Sequence, residues 1–206
     1  MNVIIFGGGG QAKETIDLIE ENLDANILGF IDNNTQEDKI FGYNYLGQDK
    51  DLNLIIKSHK ATHFYVAIGD LNTRSRLYLL VKEKLKPLSI ISKNAVVSKH
   101  SKLGEHVLIY PGVVVNADVS IGNDVLINTN ASISHEVKIG NHINISPGVQ
   151  IAGKVQIGDF SIVGLGASIK EKVKIAQNSF IGAGAVVTND TQPNNTYIGI
   201  PAKVMQ

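Results

Sequence analysis

The chain changes its hydrophobic rhythm near residue 88. From Ile91 onward an aliphatic side chain recurs at every sixth position: Ile91, Val97, Leu103, Ile109, Val115, Ile121, Ile127, Ile133 and Ile139, then Ile145, Ile151, Ile157, Val163, Ile169, Ile175, Ile181 and Val187. All 17 are Ile, Leu or Val, with no slip in phase. Four places after each, the residue is small or β-branched, as at Ala95, Ser101, Val107, Val113 and Ala131. Glycine follows the aliphatic residue at Gly104, Gly122, Gly140 and Gly158, each 18 residues from the last. Helices repeat at about 3.6 residues and strands at about 2, so a period of six is the mark of a stacked array. Three hexapeptides make one turn of a triangular prism. Each is a short strand that turns a corner, with its aliphatic residue inside a column of between five and six coils. An ordinary β-sandwich would not hold this phase across 97 residues.

Residues 1–88 follow a different pattern. A buried-strand run, Asn2–Phe6, leads into Gly7-Gly-Gly-Gly10-Gln-Ala-Lys13, and Ile16, Leu18 and Ile19 then fall at helical spacing within a helix predicted over Glu14–Asn22. Further strands are expected at Ile27–Ile31 and Phe64–Ile68, with a second helix over Asn72–Lys86 that stops before Pro87. Alternating strands and helices imply a small parallel α/β domain over 1–88, ahead of the repeat domain over 89–206. Gly7, Gly9 and Ala12 match the G-x-G-x-x-G/A turn, whose backbone N–H groups face an anion at a helix N-terminus. Asp32 follows the second strand, where a ribose-binding acid or a plain turn residue would stand, and Gly69-Asp70 lies on the same carboxyl edge. Arg74 and Arg76, the only arginines, suit either a phosphate or a solvated helix face.

Composition explains part of this and excludes other functions. There are 20 glycines but only 12 aromatic residues and no tryptophan, and of the 12 only Tyr110, Phe160, Phe180 and Tyr197 lie beyond residue 88. A prism core one aliphatic side chain wide has no room for rings. Nineteen basic residues balance 19 acidic ones, which argues against a general nucleic-acid binder. The absence of cysteine removes disulfides, thiolate metal sites and a Cys nucleophile. No HEXXH or clustered acid set points to a metal. The run Val3–Phe6 is too short for a signal peptide or membrane span, so a soluble cytoplasmic protein is expected.

The repeat resembles that of the hexapeptide-repeat acyltransferases, which form a left-handed parallel β-helix. The left hand is implied by the resemblance alone, since parallel crossovers are normally right-handed. Over nearly its whole length the chain resembles the sialic-acid O-acetyltransferase and UDP-4-amino-sugar (bacillosamine) N-acetyltransferase family. The matching residues are Phe6–Lys13, Phe30-Ile-Asp-Asn33, Val66–Arg74, Ile127–Glu136 and Gly199-Ile-Pro-Ala-Lys203. That resemblance implies an acetyl-CoA-dependent transfer to the amino group of a nucleotide-linked sugar, expected to be UDP-linked, in bacterial surface-glycan synthesis. It implies a Rossmann-like first domain that binds the sugar nucleotide through Gly8, Gly9, Gly10, Gln11, Asp32, Asn33, Ile68, Gly69 and Arg74. It also implies a homotrimer with its active sites between subunits.

Acetyl transfer needs a base for the nucleophile's proton, a donor for the oxyanion and aligned substrates. Of six histidines, His135 stands at an outward place in Ile133-Ser-His-Glu-Val-Lys138, directly before Glu136, a carboxylate able to orient its ring. Taken alone it could be a surface histidine on a repeat corner; the resemblance makes His135 the general base and Glu136 its partner. His142 is out of step with the family's second histidine, whose place is held by Asn144, so a proton-transfer role there is lost and backbone N–H groups are left for the oxyanion. The resemblance assigns Asn128 to the neighbouring subunit's site and places Asn144 against acetyl-CoA, while the small residues Gly153, Gly164, Gly166, Ala183 and Gly184, with Leu165, would make room for the coenzyme along one prism edge or be merely corner glycines. Lys170, Lys172, Lys174 and Lys203 could meet its phosphates or be solvated corner lysines. Three rivals remain: O-acetylation of sialic acid or another sugar hydroxyl, a non-catalytic nucleotide-sugar scaffold, and an NAD-dependent enzyme built on the glycine turn.

Overall fold

The computed structural model describes residues 1–205. Two compact units divide the chain, Met1–Ile90 and Ile91–Gln206.

In the first unit, β1 (Asn2–Phe6), α1 (Gly10–Asn22) and β2 (Asn26–Ile31) are followed by the short strands β3 (Lys39–Ile40) and β4 (Tyr43–Gly47). Then come α2 (Leu52–His59), β5 (His63–Val66), α3 (Leu71–Val81) and β6 (Lys86–Pro87). The sheet runs β3-β4-β2-β1-β5-β6 and is parallel except for the β3–β4 pair. Ile4, Phe6, Ile31, Phe64 and Val66 pack with Leu52 and Ile55 and with Leu77, Tyr78 and Val81. Phe6 and Phe64 meet edge to face at 6.2 Å.

Three local features differ from the expectation. Helix α1 starts at Gly10, inside the glycine run, because Gly9 is extended (φ −94°) and serves as the N-cap. Helix α3 ends at Val81, not Lys86: the residue before a proline is driven to extended backbone, and Lys86–Pro87 pairs as an edge strand with His63 and Phe64. The edge strands β3 and β4 and the helix α2 carried no clear period, since β4 is half exposed and α2 buries only Leu52 and Ile55.

The second unit is a left-handed parallel β-helix. Two-residue strands stack in parallel at a register of 18, as in Val114↔Ser132, Ser132↔Gln150 and Gln150↔Ser168. They build three sheets, one through Leu108–Ile109, one through Ser132–Ile133 and one through Lys138–Ile139. From Ile109 to Val187 every aliphatic position of the period is buried, whereas Ile91 (38% exposed), Val97 and Leu103 lie in the first coil, with nothing stacked over them within this unit.

The corners show what the sixfold period leaves implicit. The residue three places after each aliphatic one, from His106 to Gly184, takes left-handed backbone, with φ between +53° and +72°. Asn, Asp and Gly adopt it most readily, and they supply Gly112, Asp118, Asp124, Asn130, Gly148, Gly166, Asn178 and Gly184. Gly104, Gly122, Gly140 and Gly158 have another cause. Their φ is not left-handed, but a Cβ on Gly122 would stand 2.5 Å from the Gly140 carbonyl oxygen, so neighbouring coils approach too closely for any side chain. Beside them Asn123 N–H donates to Asn141 Oδ1 (2.9 Å) and Asn141 N–H to Asp159 Oδ1 (2.8 Å), tying coil to coil.

Candidate active site

In the first unit a cleft of about 570 Å³ opens at the carboxyl ends of β1, β2 and β5. Gly8, Gly9, Gly10, Gln11, Asp32, Asn33, Ile68 and Gly69 all line it, together with Asp49, Thr73 and Arg76. Gly7, directly after β1, takes φ +110°, and a Cβ there would meet the Ala67 carbonyl oxygen at 2.6 Å. Cβ atoms on Gly9, Gly10 or Gly69 would meet nothing within 4 Å, so those three leave bare backbone beside the cleft. The N-termini of α1 and α3 both reach it, bringing the partial positive charge of a helix start. Asp70 caps α3, its Oδ1 accepting from Thr73 N–H at 2.8 Å, and the Thr73 hydrogen bonds hold its carboxyl below the usual value.

The opposite wall is rich in acceptors. Asp32 Oδ2 accepts from Gly8 N–H (2.7 Å) and Oδ1 from Asn34 N–H (2.7 Å), so this carboxylate holds the glycine turn itself. Asn33 Nδ2 donates to Asp49 Oδ2 (2.8 Å) while Asp49 N–H donates back to Asn33 Oδ1 (3.0 Å). Arg74 is a correction. It is 1% exposed and sits on the face of α3 shared with Leu71, Leu77, Tyr78 and Val81, whereas Arg76 lines the cleft. Spacing of three, four and seven from buried Leu71, Tyr78 and Val81 marks that inward face, a signal the arginine's charge obscured.

In the second unit His135 and Glu136 stand at the edge between the sheet through Ser132–Ile133 and the sheet through Lys138–Ile139. Their side chains are 61% and 45% exposed. His135 Nδ1 lies 3.0 Å from Glu136 Oε1. A carboxylate can only accept, so Nδ1 carries a proton, and in the neutral ring the lone pair is then on Nε2. The His135 hydrogen bond, aided by the charge of Lys154, keeps the Glu136 carboxyl below its usual value. Gly153, one coil on, lies against the ring: a Cβ there would stand 2.7 Å from both Cε1 and Nε2 of His135. Its smallness, expected to make room for coenzyme, makes room for the histidine.

A shallow groove of about 450 Å³ runs along the sheet beside His135, over Ser132, Ser134, Gln150, Ala152, Ser168, Lys170 and Thr188. Across the edge a polar hollow of about 480 Å³ holds Lys102, Asp118, Glu136, Lys138 and Lys154. The other residues expected to hold acetyl-CoA do not gather at His135 within one chain. Leu165, Gly166, Ala183 and Gly184 belong to the next edge, in one column with Gly112, Asn130 and Gly148, and Asn128 lies two residues before that column. The left-handed φ of Gly166 (+63°) and Gly184 (+66°) accounts for glycine at both. Asn144 lies in the strand Ile143–Ile145 of the third face. His142 is buried: its Nδ1 and that of His106 each sit 2.8 Å from a different oxygen of buried Asp124, and its ring stacks on Phe160 at 4.7 Å.

Residues 2–80 match the family model described as the PglD N-terminal domain. A perosamine N-acetyltransferase from Caulobacter crescentus, solved with CoA and GDP-perosamine, superposes with a TM-score of 0.95, is 30% identical, and is matched over 100% of this chain and 97% of its own. The chain belongs to the hexapeptide-repeat sugar N-acetyltransferases. The family's GDP-perosamine N-acetyltransferase from Escherichia coli O157:H7 is 29% identical over 125 residues, a match that covers 57% of this chain and 55% of that protein. The acetyltransferase domain of PglB from Neisseria gonorrhoeae shares the fold, with a TM-score of 0.89 at 23% identity over 99% of both chains. Among the described residues, no helix is long and apolar enough to cross a membrane.

Proposed function

We propose that this protein transfers acetyl from acetyl-CoA to the amino group of a nucleotide-linked amino sugar, with His135 as general base. The observation that carries this is the exposed His135 ring, fixed by Glu136 at 3.0 Å with Nε2 left as its basic nitrogen. The sugar amine attacks the thioester carbonyl as Nε2 takes its proton. The tetrahedral oxyanion then collapses, the C–S bond breaks, and the imidazolium returns the proton to the departing thiolate. No covalent enzyme intermediate is involved. The Gly153 backbone lies against the ring, and backbone N–H groups near it are the donors suited to the oxyanion.

The glycine-lined wall of the first-domain cleft, with its two helix N-termini and Arg76, suits a diphosphate, and the acidic wall suits the base. The family resemblance implied a UDP sugar. The two perosamine relatives shift the first choice to a GDP sugar, and Asp49 agrees with that choice. Guanine offers adjacent N–H donors to a carboxylate, whereas uracil places carbonyl oxygens on both sides of its single N–H. The coenzyme residues on one prism edge and His135 on the next support an assembly in which edges of neighbouring copies meet, a homotrimer with shared sites.

The test is thiol release from acetyl-CoA with GDP- and UDP-linked amino sugars, comparing wild type with His135→Ala. The expected result is faster turnover with the GDP sugar and a loss of about 10²- to 10⁴-fold in the variant, the range of a general base. An amide product resists hydroxylamine; a cleavable ester would instead establish O-acetylation. Undiminished turnover by His135→Ala would refute the assigned base.

A further inference from the structure

The structure assigns a positioning role to Lys154, which holds Glu136 from the side opposite His135 and so keeps the base aligned. Building on the acetyltransferase reading, it concerns a residue one coil beyond the dyad. Two contacts come from this one residue. Its backbone N–H donates to the His135 carbonyl oxygen at 3.0 Å, the ordinary coil-to-coil bond of the prism. Its Nζ reaches Glu136 Oε2 at 3.5 Å, while Glu136 Oε1 faces His135 Nδ1 at 3.0 Å. Each carboxylate oxygen therefore has its own partner, and a carboxylate held at both oxygens has lost the freedom to rotate away from the imidazole.

The corner geometry sets the same pair side by side. Asn, Asp and Gly fill eight of the left-handed corners from His106 to Gly184, whereas this edge carries Glu136 at φ +60°, Lys154 at φ +64° and Lys172 at φ +66°, and His106, His142 and Phe160 take the same conformation on another edge. Two long, oppositely charged side chains at successive left-handed corners project from one edge with their Cα atoms one coil apart, which is the spacing a Glu–Lys contact needs.

The charges around the dyad decide the sign of the effect. The hollow beside Glu136 is lined by Lys102, Asp118, Lys138 and Lys154, and Lys154 is the cation in contact with the carboxylate. Without it, Glu136 carries an uncompensated negative charge against the ring. That charge favours the imidazolium form, which cannot accept the substrate's proton. The acid limb of the rate profile must then move to higher pH.

The test compares wild type with Lys154→Asn and Lys154→Arg. Asparagine tolerates the left-handed corner and keeps the backbone bond, so the fold survives while the charge is lost. We expect Lys154→Asn to move the acid limb of kcat/KM up by about half a pH unit, a loss of about threefold on that limb, the scale of an exposed ion pair, with Lys154→Arg restoring it. An unmoved limb, or a loss of rate that arginine does not restore, overturns the role. So does a rise in KM alone, which would make Lys154 a substrate contact. An NMR titration of the His135 ring in the same variants needs no substrate. It must show the same upward shift, and equal titration curves would overturn the inference even if no acceptor sugar is turned over. Failure of wild type to release thiol would count against the acetyltransferase reading alone.

Discussion

Replacing Gly153 with alanine adds one methyl group at the point where the prism backbone touches the His135 ring. The new Cβ would stand 2.7 Å from Cε1 and Nε2 of His135 and 3.3 Å from Cδ2. Ordinary contact between such atoms begins near ~3.5 Å, so the ring must retreat by roughly 0.8 Å. Its tether is the Nδ1 bond to Glu136 at 3.0 Å, and a retreat of that size breaks the bond or turns Nε2 off its line. Misplacement of a catalytic group by about 1 Å can cost about 10²-fold in rate, so kcat should fall about 10- to 100-fold, or about 1.4–2.7 kcal/mol of transition-state stabilisation. Stability should behave oppositely. The Gly153 backbone is not left-handed and the ring is exposed, so alanine fits the chain and, by restricting the unfolded state, adds up to about 1 kcal/mol. Thiol-release kinetics and thermal unfolding of the same sample separate these effects: Tm unchanged or raised, kcat sharply reduced. On a His135→Ala background the added methyl should change nothing further, because the group it displaces is gone. A Gly153→Ala enzyme with kcat within twofold of wild type would refute the placement of the ring.

Gly7→Ala should cost about 2 kcal/mol or more, since φ +110° and a 2.6 Å approach to the Ala67 carbonyl oxygen both oppose a Cβ; lower thermal stability and weaker GDP binding should follow, and a variant as stable as wild type would contradict the geometry. Asp70→Ala removes the cap of α3 and should lower stability by about 1 kcal/mol. Because the Asp70 carboxyl is held below its ordinary value by Thr73, its contribution is present at neutral pH and is lost as pH falls through that depressed value. Denaturant unfolding at pH 7 and again near pH 2 should show the gap between the two proteins narrowing.

Much of the repeat domain was legible before any coordinates, because a solenoid is nearly one-dimensional. Each coil contacts only its neighbours, so an unbroken period in the sequence maps directly onto a column in space. The glycine turn, Asp32-Asn33 and Ile68-Gly69 were also readable as a group, since the ends of adjacent parallel strands must lie along one sheet edge. The edge strands Lys39–Ile40 and Tyr43–Gly47 were not, because a half-exposed edge imposes no strict alternation. Arg74 misled for a related reason: charge suggested a ligand contact, while helical phase placed the residue inside.

The sequence by itself determined the sixfold period, the succession of two domains and the adjacency of His135 and Glu136. Those features depend on neighbours along the chain or on a strict repeat. Only the tertiary structure decided what lies under and beside the dyad. Gly153 and Lys154 stand 18 and 19 residues from His135 in sequence, yet one turn of the prism sets one against the ring and the other against the carboxylate. Likewise, Gly122 and Gly166 look alike in sequence. Coil-to-coil crowding demands the first, and a left-handed corner explains the second. The period determines which residues stack, but steric distance and backbone dihedrals exist only once the coils have closed on one another.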